Sequence, residues 1–299
     1  MATLYSQAES NVRRTWFLIT MFFVIVILIG WFFSYVFDSS IILYVAVLIS
    51  IIMSISSYWF SDKIILSTTN AKLVEMKDNP EIYRLVENLC IATGMPLPQI
   101  YILEDELQPN AFATGRDEKH AVIALTRGII EKLDRSELEG VIAHELAHIK
   151  NKDTLLQAVI VVLVGVIVVM SDIFLRAGFR GNDNNKGGNV LFLILGILVA
   201  IFAPIAAQII KASLSRQREF LADASGALIT RYPEGLASAL RKISSDQSPL
   251  IKANASNAHL FISSPFRQKN GHVDWFTKLF MTHPPVEERI QALTGMKLP

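Results

Sequence analysis

Residues 155–171 carry no charge, and neither do residues 16–37, 41–60 and 190–210. Each of these runs approaches or exceeds the roughly 20 residues a helix needs to cross bilayer hydrocarbon. The third extends to about residue 175, so the expected spans are 16–37, 41–60, 155–175 and 190–210. The hydrophobic fraction is 52% and the charged fraction 18%, against about 45–50% and about 25% in soluble domains. Mean hydropathy is +0.39. The chain therefore reads as a mainly α integral membrane protein with four transmembrane helices. The first run is too long and bulky for a signal-peptide core and is expected to stay in the mature chain. Trp16, Trp31, Tyr35, Tyr58 and Trp59 fall near span ends, where amphipathic rings prefer to sit.

Basic residues orient the spans. Arg13 and Arg14 precede the first, no basic residue lies in the turn after it, and Lys63, Lys72 and Lys77 follow the second. The positive-inside rule then places the N-terminus and residues 61–154 in the cytoplasm. Four crossings return residues 211–299 to the same side, in accord with Lys211, Arg216 and Arg218, while Arg176, Arg180 and Lys186 run against the rule. The chain thus divides into an N-terminal transmembrane hairpin (1–60), a first half of a catalytic domain (61–154), a second hairpin (155–210) and a second half (211–299). The two polar halves suffice for one core.

Within them the pattern predicts a helix over 80–93 ending at Gly94 and short strands at 99–103, 111–114 and 121–125. A helix entered through 127–133 follows, then helices at 211–231, 235–244 and 285–293, the last with prolines in its first turn. Residues 176–189 read as a turn-rich loop, and 244–274 as a covering or disordered stretch. A net charge of +1, with no basic stripe, gives no reason to propose nucleic acid as a partner. The single cysteine, Cys90, excludes a disulfide framework and reads as a small buried hydrophobe.

Just before the third span stands His144-Glu-Leu-Ala-His148. Two histidines four apart lie on one helix face, where both imidazoles can reach one metal ion. Glu145 can take a proton from the attacking water. Ser136-Glu-Leu-Glu139 reads as a capping box opening this helix. The surrounding residues are apolar, and burying two imidazoles with a carboxylate is costly unless a metal pairs with them. A zinc site that keeps a position for water needs a third protein ligand. No Gly stands three residues after His148, where Asn151 is found instead, and no third His follows at the metzincin spacing. That excludes the metzincin arrangement.

Glu219 is the best remaining candidate. It lies four residues before Asp223, so a helix presents both carboxylates on one face. One can bind zinc while the other accepts a hydrogen bond from a ligating histidine. The alternative is a solvated helix with Arg216 and Arg218 as partners. His148 precedes residue 155 by about 10 Å of helix rise, and Glu219 follows residue 210 by about 14 Å. An antiparallel hairpin of spans three and four would bring them to similar heights.

Four motifs together resemble the HtpX family of membrane zinc metallopeptidases, relatives of the CaaX prenyl proteases. They are Asn110-Ala-Phe-Ala-Thr-Gly115, His144-Glu-Leu-Ala-His148, Ser215-Arg-Gln-Arg-Glu-Phe-Leu-Ala-Asp223 and Thr282-His-Pro-Pro285. The four-span layout agrees, so the resemblance covers nearly the whole chain. It implies a mostly helical, zincin-like catalytic domain with a small β-sheet and one Zn2+ per subunit. His144, His148 and Glu219 would bind the metal, Glu145 would be the catalytic base, and Asp223 would support a ligand. Asn110, Ala111, Phe112 and Ala113 resemble the edge strand that holds an extended substrate, the alternative being an ordinary core strand. His283 is assigned to the oxyanion, the alternative being a helix cap. Asp153 either supports the site or closes its helix, and His120, His259 and His272 read as surface or structural. The family's usual aromatic after the third ligand is Phe220 here.

The resemblance further implies quality control of misfolded or damaged membrane proteins, with the catalytic face in the bacterial cytoplasm and membrane proteins, peptides and the lipid bilayer as partners. A CaaX-type prenyl-peptide protease and a non-catalytic zinc scaffold are the alternatives.

Overall fold

The computed structural model describes residues 4–36, 38–163, 216–246, 248, 262 and 284–296. Helices α1 (Leu4–Val36) and α2 (Ser40–Trp59) form a hairpin turned at Asp38, whose φ of 48° lies in the left-handed region. They cross closely at Gly30, where a Cβ would fall 2.2 Å from that of Ala46. Residues Glu9–Phe32 and Ser40–Trp59 are long and apolar enough to cross a membrane, yet only 22% and 11% of their windows are buried. A core helix of a soluble protein would hide such a surface; here Phe17, Leu28, Trp31, Ile41, Leu48 and Ile52 stand exposed.

Helix α3 (Ser61–Thr69) leads into a four-stranded sheet of order β1-β2-β4-β3, with β1 (Lys72–Leu73), β2 (Gln99–Leu103), β3 (Ala111–Thr114) and β4 (Val122–Thr126). Strands β2 and β4 are parallel, while β1 and β3 are antiparallel outer strands. Between β1 and β2 lies α4 (Pro80–Thr93). Asn79 Oδ1 caps the Ile82 N–H, Pro80 opens the first turn, and Gly94 at φ 69° closes it. Strand β4 sits one residue later than the alternation suggests, and Thr126 then caps α5 (Arg127–Lys132).

Helix α6 (Arg135–Lys150) carries both histidines. Its capping box is Asp134 with Glu137, not Ser136 with Glu139. Asp134 Oδ1 accepts the Glu137 N–H at 3.0 Å, and Glu137 Oε2 accepts the Asp134 N–H at 2.9 Å. Ser136 Oγ instead donates to Asp134 Oδ1, and Glu139 pairs with Arg135. The same four-residue spacing occurs two residues earlier, and the buried Glu137 also accepts from Ser238 and Lys242, each at 2.6 Å. Those tertiary partners favour the earlier frame.

After Asn151 the chain enters α7, described over Asp153–Leu163. Its Leu155, Val159 and Leu163 pack on Ile19 and Phe22 of α1. Its Ala158 and Val161 pack on Leu103, Phe112 and Ala124 of the sheet. The opposite sheet face, with Ile100, Ile123 and Leu125, packs on Val141, Ile142 and Leu146 of α6. Each such side chain contributes about 1.5–3 kcal/mol when fully buried, so the α6 histidines ride on the best-packed part of the molecule. Helices α8 (Arg216–Thr230), α9 (Pro233–Ser245) and α10 (Val286–Thr294) complete the described fold. The remainder of the third expected span, the fourth span (190–210), the loop at 176–189 and most of 244–274 lie outside the described residues.

Candidate metal centre

The four-residue spacing on α6 sets the His144 and His148 rings edge to face, centroids 4.6 Å apart, with their Nε2 atoms 3.1 Å apart. The opposite nitrogens meet carboxylates. His144 Nδ1 lies 2.9 Å from Asp223 Oδ1, and His148 Nδ1 lies 3.0 Å from Asp153 Oδ2. The Asp153 bond at His148 Nδ1 keeps the proton there and leaves the Nε2 lone pair facing inward, as a metal ligand requires, whereas Asp223 meets His144 Nδ1 at ion-pair distance without hydrogen-bond alignment. Glu219, from α8, brings Oε1 to 3.6 Å from His148 Nε2 and Oε2 to 4.0 Å from His144 Nε2. One ligand atom from each residue fits within 4.8 Å of the others. Bonds of about 2.0–2.1 Å in a tetrahedron separate ligand atoms by about 3.4 Å, and the observed spacings bracket that value. The donor set, two neutral-capable imidazoles and a carboxylate, is also zinc chemistry.

Close helix approach makes this possible. A Cβ on Gly226 would stand 3.0 Å from the His144 backbone nitrogen, tighter than ordinary contact. Glycine there lets α8 lie against α6 two turns from Glu219.

Charge balance points the same way. Glu145, Asp153, Glu219 and Asp223 are all at most 3% exposed, and two guanidiniums, Arg218 and Arg289, are buried with them. Among the described residues these four carboxylates outnumber the two guanidiniums, and a divalent cation at the inward-facing nitrogens would offset that excess. Burial pushes the Asp223 carboxyl up, but the Arg289 guanidinium and His144 outweigh it and hold it down at about 2. Arg289 is itself raised: burial opposes its charge, and Asp223, Glu219 and Glu145 favour it. It grips Asp223 with two bonds, Nε to Oδ2 at 2.8 Å and Nη2 to Oδ1 at 2.7 Å. Burial likewise opposes a charge on His148, yet Asp153, Glu219 and Glu145 raise it to about 9.

The structure thus brings together His144, Glu145, His148, Glu219 and Asp223. Asp153 lies against His148 and stands at the start of α7, past the end of α6 at Asn151. Arg216 is exposed and pairs with Glu288, whereas Arg218 is buried against Asn11 and Asp153; α8 is not a solvated helix at this point. Strand β3 is an outer strand of the sheet, and Asn110, Ala111, Phe112 and Ala113 are all buried. The Asn110 carbonyl accepts from Thr126 N, on the β4 side. The next carbonyl, Ala111, turns outward and accepts the Ile262 N–H at 3.1 Å. The Ile262 carbonyl in turn accepts from Arg289 Nη1 at 3.3 Å. His120 is half exposed and paired with Asp117. His283, His259 and His272 lie outside the described residues.

Two residues escaped sequence reasoning. Arg289 stands in the first turn of α10 beside two glutamates, where a solvated ion pair is the ordinary expectation. Asn11 precedes two arginines at the flank of an apolar run, where polar residues are commonplace. Only the Pro284-Pro285 helix start offered a marker, and it marks the helix rather than Arg289.

Comparison with known proteins gives the family. The profile of peptidase family M48 matches residues 76–297. A protein named protease HtpX homolog from Caldanaerobacter subterraneus subsp. tengcongensis is 41% identical over 304 aligned positions, covering 99% of each chain. One of the same name from Thermoanaerobacter pseudethanolicus is 42% identical, again over 99% of each. Another from Pyrococcus furiosus is 47% identical over 83% of this chain and 84% of its own. Among solved structures, the crystal structure of S. mikatae Ste24p aligns with a TM-score of 0.49 and 18% identity, over 97% of this chain and 67% of that one.

Proposed function

This chain belongs to peptidase family M48, among the HtpX-type metalloproteases, and from that premise we propose that it is a membrane-embedded zinc endopeptidase that degrades misfolded or damaged membrane proteins. The observation that carries the reading is the convergence of His144, His148 and Glu219 from two distant helices, with Glu145 buried beside them. His144, His148 and Glu219 would hold a zinc ion, which would supply Lewis-acid polarisation of the scissile carbonyl. Glu145 accepts the proton of the attacking water and passes it to the leaving amine. Asp153 holds the His148 imidazole in the ligating tautomer, and Asp223 lies against His144 Nδ1. Arg289, fixed by Asp223, keeps Glu219 and His144 in register at 3.6 Å and 3.5 Å.

Asn110, Ala111, Phe112 and Ala113 are assigned to an extended substrate, which would pair along the outer edge of β3 in place of the Ile262 N–H that the Ala111 carbonyl accepts, and His283 is assigned to the oxyanion. The exposed apolar hairpin sits in lipid, with two further crossings at 155–175 and 190–210. The polar halves face the cytoplasm, as the lysines and arginines around the spans indicate.

The test separates enzyme from scaffold. Glu145→Gln keeps size and polarity but cannot accept the proton near neutral pH, so full zinc content is expected with cleavage reduced by about 10²–10⁴-fold. His144→Ala should lose metal and activity together. Near-wild-type cleavage of an unfolded membrane protein by zinc-loaded Glu145→Gln would leave the chain a zinc-containing scaffold. Cleavage confined to prenylated peptides would move it to the CaaX-type reading.

A further inference from the structure

Asn11 is 2% exposed, on the cytoplasm-proximal end of α1, and its carboxamide reaches across the fold to the metal centre. Its Nδ2 donates to Asp153 Oδ1 at 2.7 Å and to the Asn151 carbonyl at 3.1 Å. Its Oδ1 accepts from Arg218 Nη1 at 3.1 Å. A carboxamide has two N–H donors and one carbonyl oxygen, so both donors are engaged and the oxygen is bonded as well. The orientation is unambiguous, because one neighbour is acceptor-only and the other donor-only. Asp153 passes the contact on: its Oδ1 receives Asn11 and Arg218, and its Oδ2 lies 3.0 Å from His148 Nδ1. Arg218 immediately precedes Glu219 in α8. A single amide on the first apolar helix therefore touches the support of one candidate ligand, His148, and the residue that precedes another, Glu219.

Packing alone does not call for this. Further along α1, Leu18, Ile19 and Phe22 supply apolar burial, and an apolar residue at position 11 would extend that face without the cost of burying an amide. An amide that spans a carboxylate and a guanidinium, with bonds 142 and 207 positions away in the chain, is instead a geometric clamp. It limits the swing of Asp153 and so fixes the plane of the His148 ring. Supports of this kind are worth about 10–100-fold in metal affinity.

We propose that Asn11 is a positioning residue of the metal centre, and that the first membrane helix is thereby part of the catalytic unit rather than a separable anchor. The proposal rests on the reading of His148 and Glu219 as zinc ligands. It is tested on the full chain, purified in detergent, by chelator competition for zinc and by the visible absorption of the cobalt-substituted protein. Asn11→Leu fills the space without hydrogen bonds. It should weaken zinc binding about 10–100-fold and shift the cobalt bands, changes read on the folded protein and separate from the fall in unfolding temperature that the unpaired Asn151 carbonyl and Arg218 would cause. Asn11→Gln, which keeps both donors and the acceptor, should recover part of the loss.

Because the effect runs through Asp153, Asn11→Leu should add little to Asp153→Asn in a double-mutant cycle. Wild-type zinc affinity and cobalt spectrum in Asn11→Leu, or fully additive losses in the cycle, would overturn the proposal. If Asn11→Leu does not accumulate in the membrane, Asn11→Ser carries the same two expectations. His148→Ala is the independent control. Undiminished zinc binding there would sink the ligand assignment itself, a different failure from that of Asn11.

Discussion

At the scale of single residues the site is a set of buried charges that tolerate one another only in pairs. Arg289 and Asp223 show this most plainly, with both charges at most 2% exposed and two short bonds between them. Removing one partner of a buried pair costs about 3–5 kcal/mol, because the other is left charged and unpaired. Arg289→Met should therefore lower the unfolding temperature of the metal-free protein sharply. Adding Asp223→Asn should restore part of that stability, since a neutral amide is cheaper to bury than a lone carboxylate. Thermal unfolding of the single and double variants in detergent checks it. A double variant no more stable than Arg289→Met would mean the two groups are not energetically coupled. Zinc affinity should stay reduced in the double variant, because His144 Nδ1 then faces an amide instead of a carboxylate.

At the scale of elements, the metal helix is held at its start by local chemistry and along its length by packing. Asp134 caps α6 and Glu137 returns the bond, so Asp134→Ala should cost about 0.5–2 kcal/mol. Ser136→Ala, outside the reciprocal pair, should change stability by no more than about 0.5 kcal/mol. Unfolding midpoints of the two variants decide between the frames, and a larger loss at Ser136 would move the helix start to that residue. The choice was open in the sequence because both frames present a capping residue followed three positions later by a glutamate. Lys242 and Ser238 of α9 settle it by engaging Glu137. Elements with purely local punctuation were legible to the residue: Asn79, Pro80 and Gly94 bound α4 as expected. Strand β3 also stands where its pattern put it, but the occupation of its Ala111 carbonyl by Ile262 involves positions 151 residues apart.

At the scale of the whole molecule, the proposed topology makes a prediction that owes nothing to the metal. A reporter fused at Asp183 should read as outside the cytoplasm, and one fused at Pro299 as inside. The opposite pair of results would invert the arrangement, and two identical results would mean that the span at 190–210 does not cross. The largely exposed apolar surface of α1 and α2 is compatible with an apolar surrounding. Helix α7 packs with one side on that hairpin and with another on the sheet, so lipid-facing and site-bearing parts share one framework.

The sequence by itself determined whatever depends on near neighbours: the apolar runs, the caps and glycine stop of α4, the strand alternation, and the four-residue spacing that aims His144 and His148 at one point. Glu219 with Asp223 was legible for the same reason, since helix periodicity alone puts them on one face. Only the tertiary structure decided which groups neutralise them. Asn11, Asp153, Arg218 and Arg289 come from four separate segments, and all but Asp153 look like ordinary solvated residues in their own stretches of chain. Burial changes their meaning: once water is removed, a carboxylate or guanidinium must find a partner of opposite charge wherever the fold supplies one.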